Sequence, residues 1–202
     1  KFINLTANIT AGAIAIKSGG NAYIENCEFI NTTSSKNAGA VFTDIAGDNG
    51  LEGSVTIINT TFTNASSEFG GAYIQLGGRL SLNNSEFTNN HATYNGGAVY
   101  LSYTESEINN CTFDSNGVDI FEGYPTYGGA ILRDKSILLV NNSKFTNHLA
   151  DTGNAIYAYD TSYLIANSTC ENNTNAIYTV FDNVAILENN IYNGDNVSTN
   201  NT

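Results

Sequence analysis

The sequence predicts an all-β fold, a right-handed single-stranded parallel β-helix (a solenoid) of about seven rungs with three short strands each. Three observations predict it. A small-residue motif that ends in alanine recurs along the chain, a second marker follows each copy at a nearly fixed distance, and apolar and polar residues alternate between them. Alternation indicates strands, and a fixed repeat indicates rungs that stack like residues on one another.

The first repeated feature is Gly-Gly-Ala or a close variant, followed each time by an apolar residue. Its copies end at Ala13, Ala40, Ala72, Ala98, Ala130, Ala155 and Ala176. These alanines are 21 to 32 residues apart, a length that holds about three short strands and is typical of a parallel β-helix. We expect the small residues to mark a corner where the backbone bends tightly.

The second feature is a phenylalanine, 15 residues after the alanine in most repeats. The marker column is Phe29, Phe62, Phe87, Phe113 and Phe145, with Cys170 and Ile191 in the last two places. Five positions earlier every repeat has an aliphatic residue: Ile24, Ile57, Leu82, Ile108, Val140, Ile165 and Ile186. Because such residues stack directly above one another in a solenoid, we expect a continuous internal column.

Asparagine is the third repeated feature, with 32 copies in 202 residues. One column lies three positions before the marker: Asn26, Asn59, Asn84, Asn110, Asn142 and Asn167. Another lies two positions after it: Asn31, Asn64, Asn89, Asn147 and Asn172. Asparagine tolerates positive φ, and stacked amides bond from rung to rung, so both columns predict corners with an asparagine ladder.

Composition excludes several classes of protein. Seven Lys and Arg against 19 Asp and Glu give a net charge of −12, which argues against nucleic acid and anionic membrane surfaces as partners. No apolar run is long enough to insert into a membrane. The chain begins at Lys1 without a signal-like segment, so we interpret it as a monomeric part of a longer protein. We expect the repeat domain at residues 1–192 and a polar tail or linker at 193–202.

Two sequence motifs resemble those of known surface proteins: Asn84 to Asn90 (NSEFTNN) and Gly96 to Tyr100 (GGAVY). In these motifs the chain resembles the adhesin-like proteins of methanogenic archaea, and also the passenger repeats of chlamydial polymorphic outer-membrane proteins. The resemblance covers roughly residues 2 to 193. It implies an extracellular, cell-surface attached protein that mediates adhesion to other cells. The resemblance assigns no binding residue to this chain, because these families have no shared catalytic or binding residues.

Catalysis is the main alternative, since parallel β-helices of the pectin lyase-like kind include polysaccharide lyases and hydrolases. Inverting hydrolysis needs carboxylates about 6.5–9.5 Å apart. Asp44 and Asp134 share an offset but lie three rungs apart, roughly 14 Å, and Glu28 and Glu86 are separated by Thr61. We therefore expect no enzyme and no catalytic residue.

The cysteines and histidines suggest no metal or catalytic site. Cys27 and Cys111 share a column of small residues three rungs apart, too far for a disulfide, and Cys170 replaces a core phenylalanine. No Cys/His spacing is typical of zinc. We interpret His91 and His148, which follow the marker in a turn, as surface residues.

Two rungs carry insertions, which in solenoids often form binding loops. The first, from Asp44 to Gly53, includes Asp44, Asp48 and Glu52. These are the best Ca²⁺ candidates, but they lack a recognisable calcium spacing, so we expect no cofactor. The second runs from Val118 to Tyr127. Its candidate ligand-binding residues are Phe121, Glu122, Tyr124 and Tyr127.

A further candidate surface is the column two positions after the alanine: Ala15, Phe42, Ile74, Tyr100, Leu132, Tyr157 and Tyr178. Facing inward it would be core. Facing outward it would form an aromatic stripe for sugars or protein, with Tyr100 and Tyr157 as ligand-binding residues. We expect it to face outward, because the neighbouring column is more uniformly aliphatic.

The sequence therefore favours a cell-surface adhesin that recognises a glycan or protein on a host or partner cell. Two alternatives stay open: a polysaccharide-degrading lyase or hydrolase, and a stalk that binds nothing itself.

Overall fold

The computed structural model describes residues 1–17, 19–45, 53–160, 162–181, 184–193 and 195–200. All 28 regular elements in these ranges are strands, and every strand pairing is parallel. The chain winds as a right-handed parallel β-helix, as predicted. Its rungs build four sheets, which we name by the residues that they carry.

The phenylalanine sheet is followed by the short sheet in the first five rungs. The phenylalanine sheet contains β1 (Phe2–Ile3), β5 (Glu28–Ile30), β9 (Thr61–Thr63), β13 (Glu86–Thr88), β17 (Thr112–Asp114), β21 (Lys144–Thr146), β24 (Thr169–Glu171) and β27 (Ile191–Asn193). The short sheet contains β2 (Thr6–Ala7), β6 (Thr33–Ser34), β10 (Ser66–Phe69), β14 (His91–Asn95) and β18 (Gly117–Val118).

The tyrosine sheet and the aliphatic sheet complete each rung. The tyrosine sheet contains β3 (Ile14–Lys17), β7 (Val41–Asp44), β11 (Tyr73–Leu76), β15 (Val99–Ser102), β19 (Ile131–Asp134), β22 (Ile156–Tyr159), β25 (Asn175–Val180) and β28 (Asn196–Asn200). The aliphatic sheet contains β4 (Ala22–Glu25), β8 (Ser54–Ile58), β12 (Arg79–Asn83), β16 (Glu105–Asn109), β20 (Ile137–Asn141), β23 (Ser162–Ala166) and β26 (Val184–Glu188).

The core is a set of stacks that run along the solenoid axis. Phenylalanine rings from six consecutive rungs lie face to face, with centroids 4.6 to 4.9 Å apart and planes within 10° of parallel, from Phe2 to Phe145. Beside them lie the predicted aliphatic residues such as Ile57, Leu82 and Ile108, all fully buried. The strand spacing of about 4.8 Å sets the ring spacing, so the register of the backbone positions the core.

The predicted asparagine corners are confirmed. Asparagines of both columns have φ between 48° and 60°, the left-handed conformation that ends one strand and starts the next. Their amides bond along the axis: Asn31 Nδ2 donates to Asn4 Oδ1 at 3.0 Å, and Asn64 Nδ2 donates to Asn31 Oδ1 at 3.2 Å. These ladders satisfy exposed polar groups at the corner of successive rungs.

A second ladder is buried, one position after the outer corner, and the sequence analysis did not find it. Side chains of Asn90, Asn116, His148 and Asn173 each accept the backbone N–H of the residue one rung earlier, at 2.9 to 3.2 Å. The asparagine Nδ2 groups donate to buried carbonyls of the phenylalanine sheet. This polar column accepts hydrogen bonds from backbone N–H groups inside the corner that have no partner in a neighbouring strand.

Tight packing explains the glycines of the recurring motif. A Cβ added at Gly97 would lie 2.1 Å from the carbonyl oxygen of Gly129, and one at Gly71 would lie 2.0 Å from that of Gly97. The preceding residues Gly70 and Gly96 have φ of 58° and 66°. The motif therefore combines a left-handed turn with backbone contact between rungs, and glycine suits both, although Ala11 and Ala38 adopt the left-handed turn in two copies.

Two expectations were wrong in detail. Each rung has up to four strands rather than three, because the short sheet is separate. In the last rung Cys170 pairs with Tyr192, not Ile191, and Ile165 pairs with Leu187, not Ile186. The corner between β25 and β26 is one residue longer than the preceding one, which shifts the register. Past residue 192, β28 pairs with β25, and the boundary expected at that residue stays a prediction.

A candidate binding groove on the tyrosine sheet

The tyrosine sheet separates two sets of side chains. Its inner column, including Val99, Ile131 and Ile156, is buried in the core. The next residues, Tyr100 and Tyr157, point to the other side, where Tyr100 packs against a separate outer cluster. This alternation along a strand confirms the outward orientation expected for the tyrosine column.

A groove of about 210 Å³ lies on this outward side. Tyr100, Leu132 and Tyr157 line it from three consecutive strands, with register partners Tyr100–Leu132 and Leu132–Tyr157. Asp134 and Tyr159 line it from positions two residues further along their strands. We call this depression, with Phe69 and Asn95 at its opposite side, the aromatic groove.

The second insertion is anchored beside the aromatic groove. The ring of Tyr127 lies 4.4 Å from that of Tyr157, and its backbone N–H donates to Asn95 Oδ1 at 3.1 Å. The backbone N–H of Thr126 donates to Asp151 Oδ2 at 2.9 Å. The structure thus brings together Tyr127, Tyr157 and Tyr100, three of the residues that the sequence singled out.

The tip of the insertion extends the aromatic surface. Phe121 lies 6.0 Å from the ring of Tyr94, and Tyr94 lies 5.3 Å from Phe69 at the groove. Tyr124 is 74% exposed, and Glu122 is also exposed. A chain of aromatic rings therefore connects the groove to the inserted loop, with Tyr124 available at its outer end.

The carboxyl of Asp134 lines the groove. Burial raises the pKa of Asp134, and Asp160 adds to the rise, while Lys135 opposes it. Burial, together with the neighbouring tyrosines, raises the pKa of Tyr157 to about 12, and burial followed by Asp134 raises that of Tyr100. The phenols therefore stay neutral at physiological pH and offer both rings and hydroxyl donors.

Of the first insertion the structure describes Asp44, Ile45 and Gly53, and none of these three lines the groove. Asp44 is in register with Leu76, Ser102 and then Asp134, so three strand spacings separate the two aspartates, roughly 14 Å. Asp48 and Glu52 lie outside the described residues. Within the described ranges, no three His, Cys, Asp or Glu side chains are grouped as a metal site would require.

The candidate catalytic groups are also separated. Glu28, Thr61 and Glu86 are consecutive in the phenylalanine sheet, so the two glutamates are two rungs apart.

His91 is exposed, as expected, and its Nε2 lies 3.0 Å from Asp119 Oδ1. His148 is 4% exposed, so the expectation of a surface residue was wrong. It occupies the buried ladder, where burial lowers its pKa to about 4. The three cysteines are free.

Sequence reasoning missed Phe69, Asn95 and Tyr159 as groove residues. A signal for two of them exists. Phe69, Asn95 and Tyr127 each stand directly before a Gly-Gly pair and pair with one another in consecutive rungs. That column borders the tyrosine column across the glycine corner. Aligning it would have placed the second insertion beside the tyrosines.

Comparison with known proteins supports the architecture. The family model described as a right-handed beta helix region matches residues 1–148 and 44–202, and so covers the chain. A 104-residue stretch, 52% of this chain, is 31% identical to a metabotropic glutamate receptor-like protein R of Dictyostelium discoideum, of which it spans 6%. No solved structure matches. In the described residues no helix is long and apolar enough to cross a membrane. The chain belongs to the right-handed β-helix region family.

Proposed function

We propose that this chain is a cell-surface adhesin domain that binds a glycan in the aromatic groove and acts without catalysis, metal or cofactor. The observation that carries the proposal is the outward row of rings at Tyr100, Tyr157 and Tyr178, bordered by Asp134 and Asn95. Aromatic side chains bury apolar area at low entropic cost, and the polar groups around them orient a ligand.

The spacing of the row suits a linear glycan. Outward residues of neighbouring rungs are about 4.8 Å apart, which is close to the length of one sugar unit in an extended chain. The C–H face of a pyranose stacks on an aromatic ring, and its hydroxyls bond to carboxylate, amide and phenol groups. A glycan that runs along the solenoid axis would therefore meet a new side chain at each rung.

An extracellular, cell-attached location and a partner-cell glycan as ligand belong to the same proposal. The net charge of −12 disfavours nucleic acid and anionic membranes as partners. A related segment occurs in a protein described as receptor-like, in keeping with a role in recognition. Asp44 and Asp134, which share an offset in the tyrosine sheet, are three strand spacings apart, more than the roughly 6.5–9.5 Å between carboxylates that inverting hydrolysis needs.

A glycan-array screen, with and without Ca²⁺, tests the proposal. We expect retention of one sugar class in both conditions. Tyr157→Ala should weaken it at least about tenfold, as expected for a central aromatic contact. Tyr23→Ala is the matched control, because Tyr23 is 64% exposed on the outward side of the aliphatic sheet.

The alternatives give different results in the same experiment. Release of shortened or unsaturated sugars from the bound glycan would replace the adhesin with a lyase or hydrolase. A blank array for the wild-type chain in both conditions would contradict glycan binding and favour the stalk. Equal losses in the two variants would show that the groove is not the site.

A further inference from the structure

We propose that the aromatic groove selects amino sugars, because it holds a positively charged amine over Leu132 between Tyr100 and Tyr157 and beside Asp134. This inference rests on the proposed glycan binding and specifies its chemistry. It follows from a gap in the aromatic row and from the charges around that gap.

The gap has dimensions set by strand pairing. Tyr100, Leu132 and Tyr157 are register partners on three adjacent strands, so the two tyrosines are roughly 10 Å apart. The shorter leucine side chain between them is 7% exposed and forms the floor of the groove. A group seated over Leu132 would lie about 5 Å from each tyrosine, within the roughly 6 Å reach of a cation–π contact.

Neighbouring rings support one wall of the gap. Tyr127 packs at 4.4 Å against Tyr157, and Tyr178 stacks on the other side of Tyr157 at 5.9 Å with planes 7° from parallel. Tyr157 is therefore held between two other tyrosines. A ring fixed in this way loses little conformational freedom when a ligand stacks on it.

Asp134 supplies the opposite charge. It follows Leu132 by two residues and therefore points to the same outward side, where it lines the groove. Burial raises its pKa and Asp160 adds to the rise, while Lys135 opposes it. A cation bound beside Asp134 would lower this pKa, so amine binding and ionisation of Asp134 would favour each other.

The two nearby cations of the protein bond to groups outside the groove, although the charge of Lys135 also lowers the pKa of Asp134. Lys135 Nζ lies 3.2 Å from the hydroxyl of Tyr103 and 5.5 Å from the centroid of its ring. Arg133 is fully buried on the inner side of the sheet, where Nη2 donates to the carbonyls of Ser136 and Ser162. The groove is consequently complementary to a cation and repels the carboxylates of uronic acids.

Calorimetric titration of the whole chain with three matched oligosaccharides tests the inference. The probes are a glucosamine hexamer, an N-acetylglucosamine hexamer and a galacturonate hexamer at the same ionic strength. We expect the glucosamine hexamer to bind about tenfold more tightly than its acetylated counterpart, and the galacturonate hexamer to bind most weakly.

Two variants assign the preference to the groove. Asp134→Asn keeps the shape of the side chain and removes its charge, and it should reduce the preference for glucosamine to about threefold or less. Leu132→Tyr completes the aromatic row and fills the gap, so it should abolish the preference while retaining stacking of the acetylated sugar. Tyr23→Ala should keep the wild-type order.

The outcomes separate this inference from the proposed function. Equal binding of the glucosamine and N-acetylglucosamine hexamers, or an unchanged preference in Asp134→Asn, would overturn the amine site and leave glycan binding intact. Failure of every glycan on the array and of all three hexamers would overturn both.

Discussion

With its ring proton on Nε2, His148 accepts the backbone N–H of Asn116 at Nδ1 at 3.2 Å, in the place where a neighbouring rung uses an asparagine side-chain oxygen for the same purpose. The imidazole must be neutral to accept this bond at Nδ1. Its Nε2 is buried and has no hydrogen-bond partner within the described part of the chain. A titratable group therefore replaces an amide in a polar column that lies inside the solenoid.

This substitution predicts that stability depends on pH. The pKa of His148 is about 4 in the folded chain, against an ordinary value of 6.5. The unfolded chain binds the extra proton first, so stability is full above pH 6.5 and falls as the pH decreases towards 4. The loss approaches about 3 kcal/mol. Nearby Asp114 opposes the shift only in part.

His148→Asn should remove this loss, because asparagine occupies the equivalent position at Asn116 and Asn173. We expect urea unfolding of the variant to give nearly equal free energies at pH 7 and pH 5, while His91→Asn, which leaves the buried imidazole in place, behaves as the wild type. A variant that still loses stability over this range would show that another group causes the dependence.

The core columns give a second prediction. Ile108 is fully buried and Glu107, its neighbour, faces outward on the same strand. Ile108→Asp would place an unpaired charge among aliphatic side chains and should unfold the adjoining rungs, because that burial costs several kcal/mol. The melting temperature of Glu107→Asp should stay within a few degrees of wild type. An unchanged melting temperature for Ile108→Asp would contradict the column assignment.

The inserted loop gives a third prediction. Its tip, with Phe121 and Tyr124, is exposed, whereas its base is bonded to the solenoid through Thr126 and Tyr127. Replacing Phe121 and Tyr124 together by serine should change stability by less than about 1 kcal/mol. If the loop contributes to the binding surface, glycan affinity should fall at least about fivefold, since exposed aromatics are frequent anchors. Unchanged affinity would limit the site to the groove.

Much of the fold was predictable because each rung repeats its neighbour. The columns at Phe87, Ile108 and Asn84 have the expected positions, and alternation within a strand correctly oriented Tyr100 and Tyr157. The register of the last rung was not predictable from a constant offset, since one extra corner residue moves Tyr192 into the place assigned to Ile191.

The buried ladder was harder to recognise. The residue types in its column differ in size and polarity: Thr32, Ala65, Asn90, Asn116, His148 and Asn173. The proximity of the second insertion to the tyrosine row could be found only by aligning the column at Phe69, Asn95 and Tyr127, because contacts such as Tyr127 on Tyr157 join different rungs. Such contacts depend on the pitch and corner geometry of the solenoid, and composition does not specify either.

The most direct test of glycan binding in the aromatic groove is an NMR titration of the chain with ring-¹³C-labelled tyrosine. The strongest glycan from the array serves as the ligand, and Tyr→Phe variants assign the resonances. We predict that the resonances of Tyr100 and Tyr157 shift in a saturable way while those of Tyr23 and Tyr103 do not. Saturable shifts confined to Tyr23 or Tyr103, or no shift at all, would contradict the account.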